Sequence, residues 1–220
     1  MKFVLCSEGF STPNTVEACT KLVGKPKGEI SIGIINEAFA VEHGDKRWVL
    51  HNLQCVFDNF SGEVDIVNLL ALSIEEVEAR LVNKDVIFVV GGDTDYLMGV
   101  YEKTGFDKLL PKLLETKVYV GSSAGSMVVG RRISAAAYRL IYGEDSKWGI
   151  DAYLGLADLS VMPHLDSPDF PNRKDTLLEA VGEFEVKVYG LRDGSAVVID
   201  GNSVTTIGSE PLIIEKGKVI

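Results

Sequence analysis

Residues 118–130 read Val-Tyr-Val-Gly-Ser-Ser-Ala-Gly-Ser-Met-Val-Val-Gly, an apolar run that breaks at a glycine-flanked turn and resumes with helical character. Few local arrangements accept that pattern. A strand covered on both faces reads as a continuous apolar run, and a helix that follows at once must fold back across the sheet. Gly121, Ser123 and Gly125 form G-x-S-x-G, the spacing of the sharp strand-to-helix turn called a nucleophile elbow. There a serine hydroxyl projects beyond the carboxyl end of the sheet, and the glycines remove Cβ atoms that would crowd the turn. The N–H of Ala124 and the positive end of the next helix face the space where an oxyanion would form. Ser123 is the expected nucleophile and Ala124 an expected oxyanion donor. The same spacing also occurs in βα turns without chemistry, so the surrounding residues have to decide.

Those residues repeat the strand–helix theme. Apolar, β-branched runs predict strands at 2–6, 29–36, 64–70, 85–90 and 117–120. Helices are predicted at 12–23, after Ser-Thr-Pro, and from Ser73, where Ser-Ile-Glu-Glu forms a capping box. A further helix is expected at 96–103, and another at 177–184 with its start drawn back to Lys174. A strand follows near 186–191. Three short β segments, 195–200, 203–207 and 211–215, close the chain, with Asp200-Gly-Asn202 and Gly208-Ser-Glu210 as hairpin turns. Alternation of this kind implies an α/β fold with a mainly parallel sheet between helices, and antiparallel strands added at one edge by the C-terminal hairpins. The chain shows no linker-like segment, so one domain spanning 1–220 is expected.

Composition narrows the partners. A formal net charge of −10 argues against nucleic acid, because phosphate binding needs clustered Lys and Arg. No stretch approaches the ~20 apolar residues of a membrane span. Three scattered cysteines, Cys6, Cys19 and Cys55, suit neither a disulfide framework nor a zinc site, and point to a reducing, cytoplasmic compartment. No residue cluster has metal-ligand spacing, so neither metal nor cofactor is expected.

A serine needs a base, and the chain has three histidines. His43 and His51 lie in a polar, helical-looking stretch and read as surface residues. His164 follows the strand-like 159–162 and a proline, on the rim where parallel α/β folds place their sites. Acids that could orient it are Asp166, Asp169, Asp193, Asp200 and Glu210. Asp193 is favoured because it follows a strand and precedes Gly194. The Gly91-Gly-Asp-Thr94 turn also ends a strand and opens a helix. It could supply a second oxyanion N–H, from Gly92, or cradle a phosphate, although neither G-x-G-x-x-G nor a P-loop lysine accompanies it.

Four segments in this order resemble the serine peptidases related to aspartyl dipeptidase (dipeptidase E), with cyanophycinase more distant. They are Gly91–Thr94, the elbow 121–125, Pro163-His164, and Gly190-Leu-Arg-Asp-Gly194, together spanning about half the chain. The resemblance implies a three-layer α/β/α sandwich like that of class I glutamine amidotransferases. It implies Ser123, His164 and Asp193 as a triad, Gly92 and Ala124 as the oxyanion hole, and small peptides as substrates of a monomer or homodimer. The family's usual acid is glutamate, so Asp193 shortens the reach by one methylene. Arg173 is the best counterpart of the arginine that binds a substrate aspartate, and Asp93, where relatives often carry asparagine, is the other expected substrate contact. Asp166 and Asp169 would oppose an acidic substrate. An esterase would place its acid before its histidine, an order this chain lacks. A catalytically silent binding protein on the same scaffold is the remaining alternative.

Overall fold

In the computed structural model, which describes residues 1–220, the strands are β1 (Lys2–Cys6), β2 (Ile32–Ile35), β3 (Val64–Ile66), β4 (Val86–Val89), β5 (Val118–Ser122), β6 (Ser160–Met162), β7 (Val188–Gly190), β8 (Ala196–Asp200), β9 (Ser203–Ile207), β10 (Leu212–Glu215) and β11 (Lys218–Val219). The helices are α1 (Pro13–Val23), α2 (Arg47–Asn59), α3 (Ile74–Leu81), α4 (Thr94–Thr104), α5 (Phe106–Leu113), α6 (Ala124–Met127), α7 (Ala135–Tyr142) and α8 (Arg173–Glu179). Seven strands form one sheet in the order β3-β2-β4-β5-β1-β8-β9, and β11-β10-β7-β6 form a second. The first five run parallel, and β8 joins β1 antiparallel with Cys6 opposite Ala196.

Strand alternation divides the core. Phe3, Leu5, Val89 and Tyr119 point to one face, where they meet residues of α3, α4 and α5. Val4, Cys6, Phe88 and Val120 point to the other, against α1 and α2. Every residue of β4 and β5 is buried, as two covered faces require. A third cluster joins α7 and α8 to one face of the small sheet through Ile141, Leu177, Met162 and Val188. Each large apolar side chain so buried contributes roughly 1.5–3 kcal/mol. The expected mixed α/β fold is therefore present, with helices on both faces of a mostly parallel sheet.

Two expectations are revised. The Gly208–Glu210 turn does not close a hairpin, because β9 pairs with β8 whereas β10 pairs with β7 in the other sheet. The segment carries the chain from one sheet to the next, which local turn chemistry does not distinguish from a hairpin. The helix expected up to residue 184 ends at Glu179, and Val181–Glu183 form a single 3₁₀ turn.

The capping box at α3 is complete, with the Ser73 side chain accepting from the Glu76 amide and the Glu76 carboxylate accepting from the Ser73 amide. Ser73→Ala is expected to destabilise the fold by about 1 kcal/mol, read as a lower midpoint in urea with an unchanged slope. Loss of less than a few tenths would mean that tertiary packing alone holds α3.

Candidate active site

Five strand ends meet at one edge. Ser7 follows β1, Gly91 to Asp93 follow β4, and Ser123 follows β5, all at the carboxyl end of the parallel strands. The small sheet supplies the rest. Its β6 and β7 are parallel, with Met162 opposite Gly190, so His164 and Asp193 leave the same edge a few residues later. The chain then passes through Gly194 into β8, whose antiparallel pairing with β1 returns Asp193 to the carboxyl edge of the large sheet.

Ser123 stands at φ 51° and ψ −113°, a conformation costly for a residue with a Cβ, of order 1–3 kcal/mol. The crowding explains the flanking glycines. A Cβ on Gly125 would overlap the Val89 carbonyl oxygen, and one on Gly121 would press on the backbone of Gly125 and Ser126. The Ser123 amide donates to the carbonyls of Cys6 and Ser7, both at 3.1 Å, and Tyr119 Oη donates to the Gly125 carbonyl at 2.6 Å. The elbow is thus pinned to β1 on one side and to its own strand on the other.

His164 Nε2 lies 3.0 Å from Ser123 Oγ, and its Nδ1 lies 2.7 Å from Asp193 Oδ1. With Nδ1 protonated, the ring donates to Asp193 and Nε2 is free to accept from the serine hydroxyl. Phe170 stacks on the imidazole at 4.8 Å between ring centres and 12° between planes, which restrains its rotation. Burial raises the Asp193 pKa, but hydrogen bonding and charge from His164, with hydroxyls of Ser7 and Ser167, outweigh it and hold the carboxyl below its ordinary range. The aspartate side chain, short as it is, reaches the imidazole directly at this separation.

Gly92 sits beside the serine turn at φ 139°, where a Cβ would overlap the Ala38 carbonyl oxygen. Its N–H donates to no group of the chain. Asp93 lines the cleft, yet both carboxylate oxygens already accept: Oδ1 from the Tyr96 amide and Oδ2 from Trp148 Nε1, each at 2.8 Å. Arg173 is not a solvated residue at a helix start. It is 7% exposed, lines the same cleft, donates to Met162 Sδ at 3.1 Å, and lies over the rings of Phe170 and Tyr142 at 4.7 and 4.8 Å. No carboxylate lies within ion-pair distance of it. Asp166 is drawn away by Arg192, whereas Asp169 does border the cleft.

The cleft encloses about 1330 Å³. His43 reaches its margin and His51 lies outside on α2. Sequence reasoning missed three groups around it. Asn52, from α2, accepts from Ser122 Oγ at 2.7 Å next to the elbow. Asp95 is 1% exposed and paired with Arg132 at 3.0 Å. Ser7 touches both His164 and Asp193. Asp95 alone had a signal, its place in the first turn of a helix after a glycine turn.

A serine on a strained βα turn, bonded to a histidine that is bonded to an ionised carboxylate, is the apparatus of a serine-type hydrolase. The model of peptidase family S51 matches residues 36–207, and the chain belongs to that family of serine-type peptidases. An uncharacterised peptidase of Listeria monocytogenes is 31% identical over 150 residues, 65% of this chain and 70% of the relative. Peptidase E of Streptomyces coelicolor is 30% identical over 131 residues, 56% of this chain and 52% of the relative. The crystal structure of a putative peptidase E protein from Listeria monocytogenes EGD-e superposes with a TM-score of 0.76 at 24% identity, covering 95% of this chain and 98% of that one, a likeness of fold. No helix is long and apolar enough to cross a membrane.

Proposed function

We propose that this peptidase hydrolyses short peptides through an acyl-enzyme on Ser123. His164 Nε2 takes the Ser123 proton as Oγ attacks the scissile carbonyl, and Asp193 stabilises the imidazolium that forms. The N–H groups of Gly92 and Ala124 receive the oxyanion, each such donor being worth about 3–4 kcal/mol in the transition state. Collapse passes the proton from His164 to the leaving amine, and water repeats the sequence to release the acid. The observation that carries this reading is the unbroken hydrogen-bond chain from Ser123 through His164 to Asp193.

Arg173 supplies the preference. A buried guanidinium with no carboxylate partner favours an anionic group, and its planar fork suits a carboxylate. Dipeptides that begin with an acidic residue are therefore the proposed substrates, Asp169 at the cleft margin being the opposing charge.

A kinetic panel of Asp-X and X-Ala dipeptides tests both parts, with Ser123→Ala as control. Wild type should hydrolyse Asp-X preferentially and be labelled on Ser123 by a fluorophosphonate, and Ser123→Ala should do neither. Arg173→Met keeps the packing against Tyr142 and Phe170 and should raise KM for Asp-X by about 10- to 100-fold, the worth of a charge-assisted hydrogen bond. It should leave X-Ala nearly unaffected. Folded protein that neither labels nor cleaves any dipeptide would make this a silent scaffold.

A further inference from the structure

Ser7 is fully buried at the end of β1 and makes a contact with each of the three residues of the proposed triad. Its hydroxyl donates to Asp193 Oδ1 at 2.7 Å and accepts from the His164 amide at 2.9 Å. Its carbonyl accepts from the Ser123 amide at 3.1 Å, and its own amide donates to the Ser195 carbonyl at 3.0 Å. Asp193 Oδ1 thus receives two donors, the Ser7 hydroxyl from the sheet side and His164 Nδ1 from the cleft side. With one lone pair held by Ser7, the carboxylate cannot rotate without breaking that bond, and the second lone pair stays on the imidazole. The second bond acts on the base. His164 stands at φ 64°, a left-handed conformation uncommon for a residue with a Cβ, and its amide is held by the same hydroxyl.

We propose that Ser7 is a positioning residue for catalysis, its side chain fixing the Asp193 carboxylate and the His164 backbone in one register. This deepens the triad reading above and rests on it. The role also answers the shorter acid. An aspartate must be brought closer to the histidine than a glutamate, and a hydroxyl shared by both residues ties them at the required separation.

The test is a double-mutant cycle of Ser7→Ala and Asp193→Ala, measured as kcat and KM on the best dipeptide and as the rate of fluorophosphonate labelling of Ser123, with melting curves to confirm folding. Ser7→Ala alone should lower kcat by about 10- to 100-fold, the usual effect of misplacing a reacting group slightly, with KM and labelling stoichiometry unchanged. In the Asp193→Ala background the same change should cost several-fold less than in wild type, because the carboxylate it fixes is gone and only its bond to the His164 amide remains to be lost. Equal losses in both backgrounds would mean that Ser7 acts through the fold at large, and the proposal fails. It fails too if Asp193→Ala is crippled while Ser7→Ala is as active as wild type, and the triad then stands without it. If Asp193→Ala keeps wild-type kcat, the acid of the triad is misassigned and both readings fall.

Discussion

His164→Ala is expected to lower kcat by about 10⁴- to 10⁶-fold while KM and the unfolding midpoint stay close to wild type. The size follows from what the imidazole does. It is the group within hydrogen-bond distance of Ser123 Oγ, at 3.0 Å, that can accept the serine proton. Without it the hydroxyl remains a poor nucleophile, and the leaving amine has no acid. Stability should change little because the side chain is part of no apolar core cluster, although the Phe170 stack is lost. Turnover and fluorophosphonate labelling of the variant decide the matter. A His164→Ala enzyme within ten-fold of wild type would refute the triad, and no other histidine is placed to rescue it, since His51 lies on the outer side of α2 and His43 at the cleft margin.

The groups legible in the sequence share one property: each announces itself within a few residues. Ser123 is marked by glycines whose Cβ atoms the turn cannot hold, and His164 and Asp193 by their positions just past apolar runs. Strand ends in a parallel fold converge, so three local signals became one site without any knowledge of pairing. Arg173 was legible as a residue but not as a buried one, because burial depends on Tyr142 and Phe170 closing over it.

What stayed hidden depends on contacts between distant segments. Ser7 and Asp193 are 186 positions apart, and Ser7 sits in a stretch that reads simply as the end of a strand. The second sheet was invisible for a similar reason. Nothing in 208–215 says that β10 will leave β9 and cross to β7, since either pairing satisfies the alternation of its side chains. The gap therefore lies in register and pairing, together with α5 and α7, for which no element was expected, and the strand expected over 64–70, which ends at Ile66.

Asp95→Ala is expected to cost about 3–5 kcal/mol at neutral pH, the largest stability loss of any single charge removal in the cleft wall. Asp95 is 1% exposed, and it accepts from Arg132 at 3.0 Å, from Tyr153 Oη at 2.6 Å and from the Ser146 hydroxyl. Removing it leaves the Arg132 guanidinium, 9% exposed in its side chain, as a buried charge facing the rings of Tyr138 and Tyr153. It also frees the segment around Ser146, which with Trp148 covers the start of α4. Urea unfolding gives the magnitude, and pH gives the cause. Burial pushes the Asp95 carboxyl up, but its hydrogen bonds from Arg132, Ser146 and Tyr153 outweigh that and hold it below its ordinary value. A depressed folded-state value means that the contribution is complete above the unfolded-state pKa of about 4 and is lost as pH falls through the lower folded value. The stability gap between wild type and Asp95→Ala should therefore be widest at neutral pH and narrow progressively below about pH 4. Arg132→Met combined with Asp95→Ala should lose less than the sum of the single changes, because the stranded charge leaves with its partner. A gap that stays constant from neutral to strongly acidic pH would show that Asp95 holds this wall by shape and hydrogen bonding rather than by charge.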